Sequence, residues 1–169
     1  TVALRASSSS RIARTTAEAI DTADGPVDEA EPPMSATIGL ADDLDVSRGD
    51  MICRPNNRPH VGQDVDAMVC WCSDRAALQP GAKYAIKHTS RWARAMVRDL
   101  NYRLDVNTLH RDETATSLGL NDIGRITMRT TLPLFFDEYR RNRATGSFVL
   151  VDETTNDTVA GGMILGPTG

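Results

Sequence analysis

Lysine is almost missing from this sequence, because only Lys83 and Lys87 among its 19 basic residues are lysines and the rest are arginines. A phosphate-binding P-loop requires a Gly-Lys-Ser or Gly-Lys-Thr step, whose lysine reaches the β- and γ-phosphates. Neither lysine follows a glycine, no aspartate is followed by glycine three positions on, and no Asn-Lys-x-Asp guanine motif occurs. The sequence therefore predicts no nucleotide cofactor and no catalytic residue in this chain.

Cysteine is scarce and odd in number, with Cys53, Cys70 and Cys72 as its only instances. Cys70 and Cys72 are too close along one strand for favourable disulfide geometry, and any pairing leaves one thiol over. We expect free thiols, which fit a reducing cytoplasm. The cysteines and the three histidines lack the paired spacing of metal ligands, so no metal site is predicted.

Long apolar runs and a positive net charge are also lacking. No segment approaches the roughly 20 consecutive apolar residues of a membrane-spanning helix. The net charge of −4 gives no overall attraction to phosphate backbones. We therefore expect neither a membrane nor a nucleic acid as a partner, and we expect a cytoplasmic location.

The residues that are present alternate with the period of a β-strand. The 169 residues are 40% hydrophobic and 25% charged, values typical of one large or two small globular domains. The stretch "DVDAMVCW" places Val65, Ala67, Val69 and Trp71 on one face. "KYAIKH" and "RITMRTT" alternate similarly, and "SFVLVDETTNDTVAGGMIL" predicts a hairpin with Asn156 in a left-handed conformation. The sequence therefore predicts an all-β fold.

Turn residues divide the chain into two parts. "RPNNRPHVGQ", from Arg54 to Gln63, contains two prolines, two asparagines and a glycine, which favours a linker. Residues 1–58 are expected to hold about three or four strands, too few to close a barrel, and residues 59–169 about six or more, enough for a complete one. Gly49 is expected to supply a positive φ in the turn before "DMICR", and "RASSSS", from Arg5 to Ser10, is expected to be mobile.

Four segments carry a resemblance to a known family: "PMSATIGLADDLDVSRGDMICRP", "VDAMVCW", "YRLDVNTLHRDET" and "LGLNDIGRITMRTTLPLFFDEYRRNRATGSFVLVDETTNDTVAGGMI". They resemble the GTP-binding subunit of bacterial sulfate adenylyltransferase, a GTPase of the elongation-factor-Tu class. The resemblance implies that residues 1–58 are the C-terminal part of a second β-barrel domain. It implies that residues 59–169 are a complete third β-barrel domain.

The resemblance also implies a function. Such subunits couple GTP hydrolysis to the synthesis of adenosine 5′-phosphosulfate and pyrophosphate from ATP and sulfate. The implied partners are a catalytic ATP-sulfurylase subunit and the GTPase domain of the parent polypeptide, which holds GTP and Mg²⁺. In some bacteria such a subunit continues into an adenylylsulfate kinase domain. Two alternatives stay open, the β-barrel domains of a translation-type GTPase and a free-standing β-barrel interaction module.

One polar segment is a candidate contact site. The stretch "YRLDVNTLHRDET" is predicted to place several charged and amide side chains in a loop that follows a strand: Arg103, Asp105, Asn107, His110 and Arg111. Such side chains form mutually paired surface charges in many proteins, each pair contributing at most about 1 kcal/mol. Loops on a rigid barrel also carry contacts to other domains or subunits. Both interpretations are kept, and the second predicts a contact to the GTPase domain or the catalytic partner.

Overall fold

The computed structural model describes residues 2–5, 12–31 and 33–168. The chain divides into two compact units, Thr1–Arg58 and Pro59–Gly169. Of the stretch predicted to be mobile, Arg5 to Ser10, residues 6–10 lie outside the described residues, and Arg5 is the last residue of the strand Val2–Arg5. In the described part of the chain, no helix combines the length and the apolar character needed to cross a membrane.

The first unit consists of short antiparallel strands in two small sheets. One sheet contains β1 (Val2–Arg5), β2 (Ile12–Thr15) and β6 (Met51–Cys53), and the other β3 (Ala17–Thr22), β4 (Gly25–Pro26) and β5 (Thr37–Leu40). The described residues of this unit thus form six strands, and the prediction of three or four was wrong. The missed strands are two to six residues long and rich in small or polar side chains, so they give almost no period-two signal.

The turn before β6 has the predicted conformation. Gly49 has a φ of 97°. Glycine adopts this conformation easily because it has no Cβ that would clash with the backbone. The amide of Ser47 donates to Oδ2 of Asp50 at 2.9 Å, and the amide of Asp50 donates to the carbonyl of Ser47 at 3.0 Å. The carboxylate therefore closes the turn from which β6 begins.

The second unit is a closed antiparallel barrel, as predicted. Its elements are β7 (His60–Trp71), β8 (Lys83–His88), β9 (Arg91–Leu104), β10 (Arg111–Asp112), β11 (Ile123–Phe136), α1 (Arg143–Gly146), β12 (Ser147–Val151) and β13 (Thr158–Pro167). The strand order β9-β11-β7-β13-β12-β8 returns to β9, because β8 pairs with both β12 and β9. The all-β fold class is confirmed, and the barrel leaves only the short β10 as an added edge.

The barrel core follows the predicted alternation. Val65, Ala67, Val69 and Trp71 are all buried along β7. The Trp71 ring packs edge-on against Tyr84 at 5.5 Å between centroids, and its Nε1 donates to the carbonyl of Ala76 at 2.8 Å. Burying an indole without a hydrogen-bond partner would be costly, so this bond fixes the ring.

A buried histidine closes one end of this core. Nε2 of His88 lies 2.8 Å from the carbonyl oxygen of Thr145, beside the single-turn helix α1. Burial lowers the pKa of His88, because the interior disfavours the charged ring, and the nearby Arg91 acts in the same direction. His88 is therefore a buried residue on the same face of β8 as Tyr84 and Ile86.

The boundary between the predicted linker and the first strand of the second unit differs from the sequence-based expectation. The segment from Arg54 to Gln63 is only partly a linker, because β7 begins at His60 and pairs Gly62 with Leu134 and Val61 with Phe135. Pro59 precedes this strand rather than interrupting it, which is the position at which proline is tolerated. The predicted hairpin turn is confirmed, since Asn156 has φ of 61°.

Candidate functional site

The candidate segment is a hairpin that extends the barrel at the end of β9. Leu104 pairs with Arg111 and Arg103 pairs with Asp112 across β9 and β10. Arg103 and Arg111 therefore lie in strands and not in a loop, which corrects the sequence-based interpretation. A two-residue strand such as β10 is too short to give a periodic signal. The turn proper is Asp105 to His110.

Asp105 shapes this turn. Its Oδ1 accepts hydrogen bonds from the amides of Asn107 at 2.8 Å and Thr108 at 3.1 Å. Its carbonyl accepts from the amide of Leu109 at 2.8 Å. The two amides lower the pKa of Asp105, because they stabilise its ionised form. The carboxylate has a local structural role and is turned back towards its own backbone.

The two arginines hold the base of the hairpin. Arg103 lies 3.1 Å from a carboxylate oxygen of Asp112 and 3.7 Å from one of Asp122. The guanidinium of Arg111 lies 5.0 Å from the centroid of the Tyr102 ring. Bonds from the hydroxyl and amide of Thr114 lower the pKa of Asp112, which keeps this carboxylate ionised beside Arg103. These contacts place the hairpin in a defined orientation.

The tip of the hairpin presents exposed polar and apolar side chains, and His110 interacts electrostatically with Asp105. Asn107 and His110 are exposed, and neither side chain forms a hydrogen bond with the described residues. Val106 and Leu109 are 58% and 71% exposed. The sequence analysis missed these two apolar residues, although "DVNTLH" shows them directly in a turn. The tip therefore offers both directional hydrogen-bonding groups and apolar surface.

Leu109 is in an unusual backbone conformation for its residue type. Its φ is 58°, in the left-handed region that costs a side chain with a Cβ about 1–2 kcal/mol. A bulky residue in this region is an outlier, which calls for a compensating contact or a function. Since Leu109 is mostly exposed, the described residues provide no packing that would compensate.

A second turn in the same barrel has the same hydrogen-bond pattern, and it has a residue type that is common in turns at the left-handed position. Oδ1 of Asp152 accepts from the amides of Thr154 at 2.8 Å and Thr155 at 3.0 Å. The carbonyl of Asp152 accepts from the amide of Asn156 at 2.9 Å. Asn156 thus occupies the position that corresponds to Leu109, and asparagine tolerates this conformation well. The turn does not require leucine.

An open depression of about 240 Å³ lies beside the hairpin, and its lining includes Arg103, Val106, Asn121 and Asp122. The described residues contain no group of three or more His, Cys, Asp or Glu side chains that could hold a metal ion. No disulfide links the three cysteines. The depression and the exposed hairpin tip lie side by side on the barrel surface.

The class of the protein follows from the fold and from the match to a family model. Residues 64–165 match the family described as GTP-eEF1A C-terminal domain-like, and the chain belongs to this family. The match covers the second unit from β7 to β13.

Particular relatives are much closer. The chain is 58% identical over 147 residues to the bifunctional enzyme CysN/CysC of Mycobacterium tuberculosis, a match that covers 87% of this chain and 24% of the relative. It is 40% identical over 148 residues to sulfate adenylyltransferase subunit 1 of Bacteroides fragilis, which covers 88% of this chain and 31% of the relative. The resemblance expected from the sequence is confirmed. The aligned regions span 24% and 31% of the length of these two relatives.

Among solved structures, the chain superposes on Sup35 complexed with GDP with a TM-score of 0.82 and 17% sequence identity. The match covers all of this chain and 41% of that one. At this identity the superposition shows the shared fold alone.

Proposed function

We propose that this chain is the non-catalytic β-barrel region of the GTPase subunit of sulfate adenylyltransferase. The parent polypeptide couples GTP hydrolysis to the synthesis of adenosine 5′-phosphosulfate from ATP and sulfate. The observation that carries the proposal is the high identity to relatives of both kinds, the subunit itself and the bifunctional CysN/CysC enzyme. In this role residues 1–58 are the C-terminal part of the second barrel domain and residues 59–169 are the third.

The proposed role is coupling rather than chemistry. GTP and Mg²⁺ bind the nucleotide domain of the parent, because the phosphate and guanine motifs are not in this sequence. A rigid barrel suits the transmission of a nucleotide-dependent movement to a second subunit, since packed cores move as units. The partners in this proposal are the parent's GTPase domain and the catalytic ATP-sulfurylase subunit.

The β9–β10 hairpin is the proposed contact to this assembly. Arg103, Asp105 and Arg111 hold its shape, and Asn107 and His110 extend from its tip beside the exposed Leu109. Directional groups around an apolar residue are the usual composition of a protein contact. The free-standing interaction module is less favoured, because the chain matches only part of longer relatives.

A calorimetric titration tests the absence of a nucleotide site in this chain. We expect no binding of GTP with a Kd near 1 μM, which corresponds to about −8 kcal/mol. The reason is that no lysine follows a glycine and no guanine motif occurs in the sequence. A measurable micromolar affinity of the isolated chain for GTP would contradict the proposal that the nucleotide site lies in another domain of the parent.

A chimera tests the function itself. The matching region of the Mycobacterium tuberculosis relative is replaced by this chain, and GTP-stimulated release of pyrophosphate from ATP and sulfate is measured. We expect GTP stimulation to be retained, because the identity over this region is 58%. The control chimera carries the equivalent region of Sup35, which has the same fold at 17% identity, and it is expected to lose GTP stimulation.

The translation-type GTPase is the second candidate, and the same pair of chimeras separates it from the first. A folded chimera with this chain that lacks GTP stimulation would overturn the sulfate-activation role. Equal activity of both chimeras would show that the barrel fold alone suffices, in which case the relatives would not identify the function.

A further inference from the structure

The outer face of β8 and β9 carries both lysines of the chain beside an exposed tryptophan. The strand register places Lys83 opposite Met96, Ala85 opposite Arg94, and Lys87 opposite Trp92. Each cation therefore faces an apolar side chain across the strands. We call this surface the β8–β9 face and define it by Lys83, Lys87, Trp92, Arg94 and Met96.

Charges on β7 and β11 are arranged differently, although Arg129 of β11 lies opposite Met96 in the strand register. Across β7 and β11, Arg125 forms an ion pair with Asp66, and Arg129 lies 2.8 Å from a carboxylate oxygen of Asp64. These cations are neutralised within the sheet by carboxylates on the neighbouring strand. The charges of these two cations are therefore compensated within the barrel itself.

The β8–β9 face leaves most of its positive charge uncompensated. Neither Lys83 nor Lys87 has an ion-pair partner among the described residues, and Arg94 pairs with Glu153 at 2.6 Å. Three cations and one carboxylate give this face a net charge of +2, although the chain as a whole carries −4. The face is thus a positive area on an otherwise acidic molecule.

Trp92 gives the face an apolar centre. It is 54% exposed, and Nζ of Lys87 lies 5.3 Å from the centroid of its ring. Met96 on the same strand is 37% exposed. Tryptophan, arginine and methionine are among the residue types enriched in protein interfaces, and tryptophan is a frequent binding hot spot. The other tryptophan, Trp71, is buried in the core.

We propose that the β8–β9 face binds an acidic segment of a partner protein. Carboxylates of the segment pair with Lys83 and Lys87, and an apolar side chain of the segment covers Trp92. A protein segment fits better than a nucleic acid, because the net negative charge of the chain repels a polyanion over longer distances while short acidic segments respond to the local field. The proposal does not depend on the proposed function.

This surface is distinct from the hairpin contact. Trp92 is the second residue of β9, whereas the hairpin turn begins after Leu104 at the other end of that strand. At about 3.3 Å per residue, the two sites are separated by roughly 40 Å along the strand before twist is considered. The barrel can therefore bind one partner at each end of β9.

The test uses the 169-residue chain and a synthetic 12-residue peptide of alternating glutamate and leucine, titrated in NMR experiments. The indole N–H of Trp92 reports on the face, and that of Trp71, which is bonded to Ala76, serves as an internal control. We expect the peptide to shift the Trp92 signal and the amide signals of β8 and β9, without shifting the Trp71 signal. We also expect the affinity to fall with added salt.

Matched variants separate this face from general electrostatics. The double variant Lys83→Gln/Lys87→Gln is expected to weaken peptide binding about fivefold at low salt, and Trp92→Ala about tenfold. The control Arg75→Gln/Arg140→Gln removes the same charge at sites that are 71% and 87% exposed elsewhere on the barrel, and it is expected to leave the affinity unchanged. Melting curves confirm that each variant is folded.

Several results would overturn the proposal. The first is an unresponsive Trp92 signal, and the second is an equal loss of affinity in the two double variants. The third is a higher affinity for a 12-nucleotide single-stranded DNA than for the peptide, measured from the Trp92 signal, since this would assign the face to nucleic acid. The fourth result concerns the chain without peptide. If changing Asp28, Glu29 and Glu31 to amides shifts the indole N–H signal of Trp92, the occupant of the face is this chain's own acidic segment.

Discussion

Replacing Gly162 by alanine is expected to destabilise the barrel by about 2–3 kcal/mol, because a Cβ at this position enters the space of a buried ring. Gly162 of β13 is paired directly with Phe148 of β12. An added Cβ would lie 2.5 Å from both Cε atoms of the Phe148 ring, well inside van der Waals contact. Phe148 is itself in the core, so its ring has little room to move.

The adjacent glycine provides the matched control. A Cβ at Gly161 meets nothing within 4 Å, and its φ is not in the positive region. Gly161→Ala is therefore expected to be neutral or slightly stabilising, because alanine loses less backbone entropy on folding. Urea unfolding followed by the fluorescence of the buried Trp71 measures both variants.

A double-mutant cycle identifies the cause. If the ring is the obstacle, Phe148→Leu combined with Gly162→Ala should cost clearly less than the sum of the two single changes. Equal stabilities of the Gly161 and Gly162 variants would show that the core relaxes around the new methyl group, and the close ring–backbone packing would then not be a determinant of stability.

Gly161 and Gly162 illustrate which structural features can be predicted from the sequence and which cannot. In "TVAGGMIL" the alternation predicts which residues face the core, and this prediction places Ala160, Gly162 and Ile164 on one side. It does not reveal that Phe148 covers Gly162, because that contact depends on the pairing of β12 with β13 and on a register shift between Leu150 and Val151. Faces are local properties of a strand, whereas contacts depend on register.

The candidate site was predictable to a similar degree. The density of charged and amide side chains in "YRLDVNTLHR" drew attention to the segment that forms the β9–β10 hairpin, whose role as a contact stays a prediction. The roles of Arg103 and Arg111 within strands were not predictable, because β10 has only two residues. The strain at Leu109 was hidden as well, since turn prediction depends on glycine, asparagine and aspartate at left-handed positions and leucine gives no such signal.

The strands of the first unit were underestimated for a related reason. β3 alternates only weakly, and β4 consists of Gly25 and Pro26, two residues that normally indicate a turn. Their pairing with one another is set by the fold around them and not by local preference. In the second unit, by contrast, β7, β9 and β11 have 12 to 14 residues each, so the alternation is repeated often enough to be recognised.

The last prediction concerns Leu109 and follows from the two turns with the same hydrogen-bond pattern. Leu109→Asn in the complete GTPase subunit is expected to stabilise the barrel by about 1 kcal/mol, because asparagine tolerates the left-handed conformation. The same change is expected to weaken binding of the catalytic subunit by at least about tenfold, since it removes an exposed apolar residue from the proposed contact. Gains in stability with losses in binding are typical of residues kept for function.

The reciprocal variant is the control, and unfolding and subunit-binding titrations are carried out on both. Asn156→Leu places leucine at the matching position of the β12–β13 turn, where φ is 61° and the hydrogen bonds are the same. It is expected to destabilise the barrel by about 1–2 kcal/mol and to leave subunit binding unchanged. If Leu109→Asn lowers stability instead, or if binding is unaltered, the leucine serves the hairpin itself, and the contact with the catalytic subunit must lie elsewhere on the barrel.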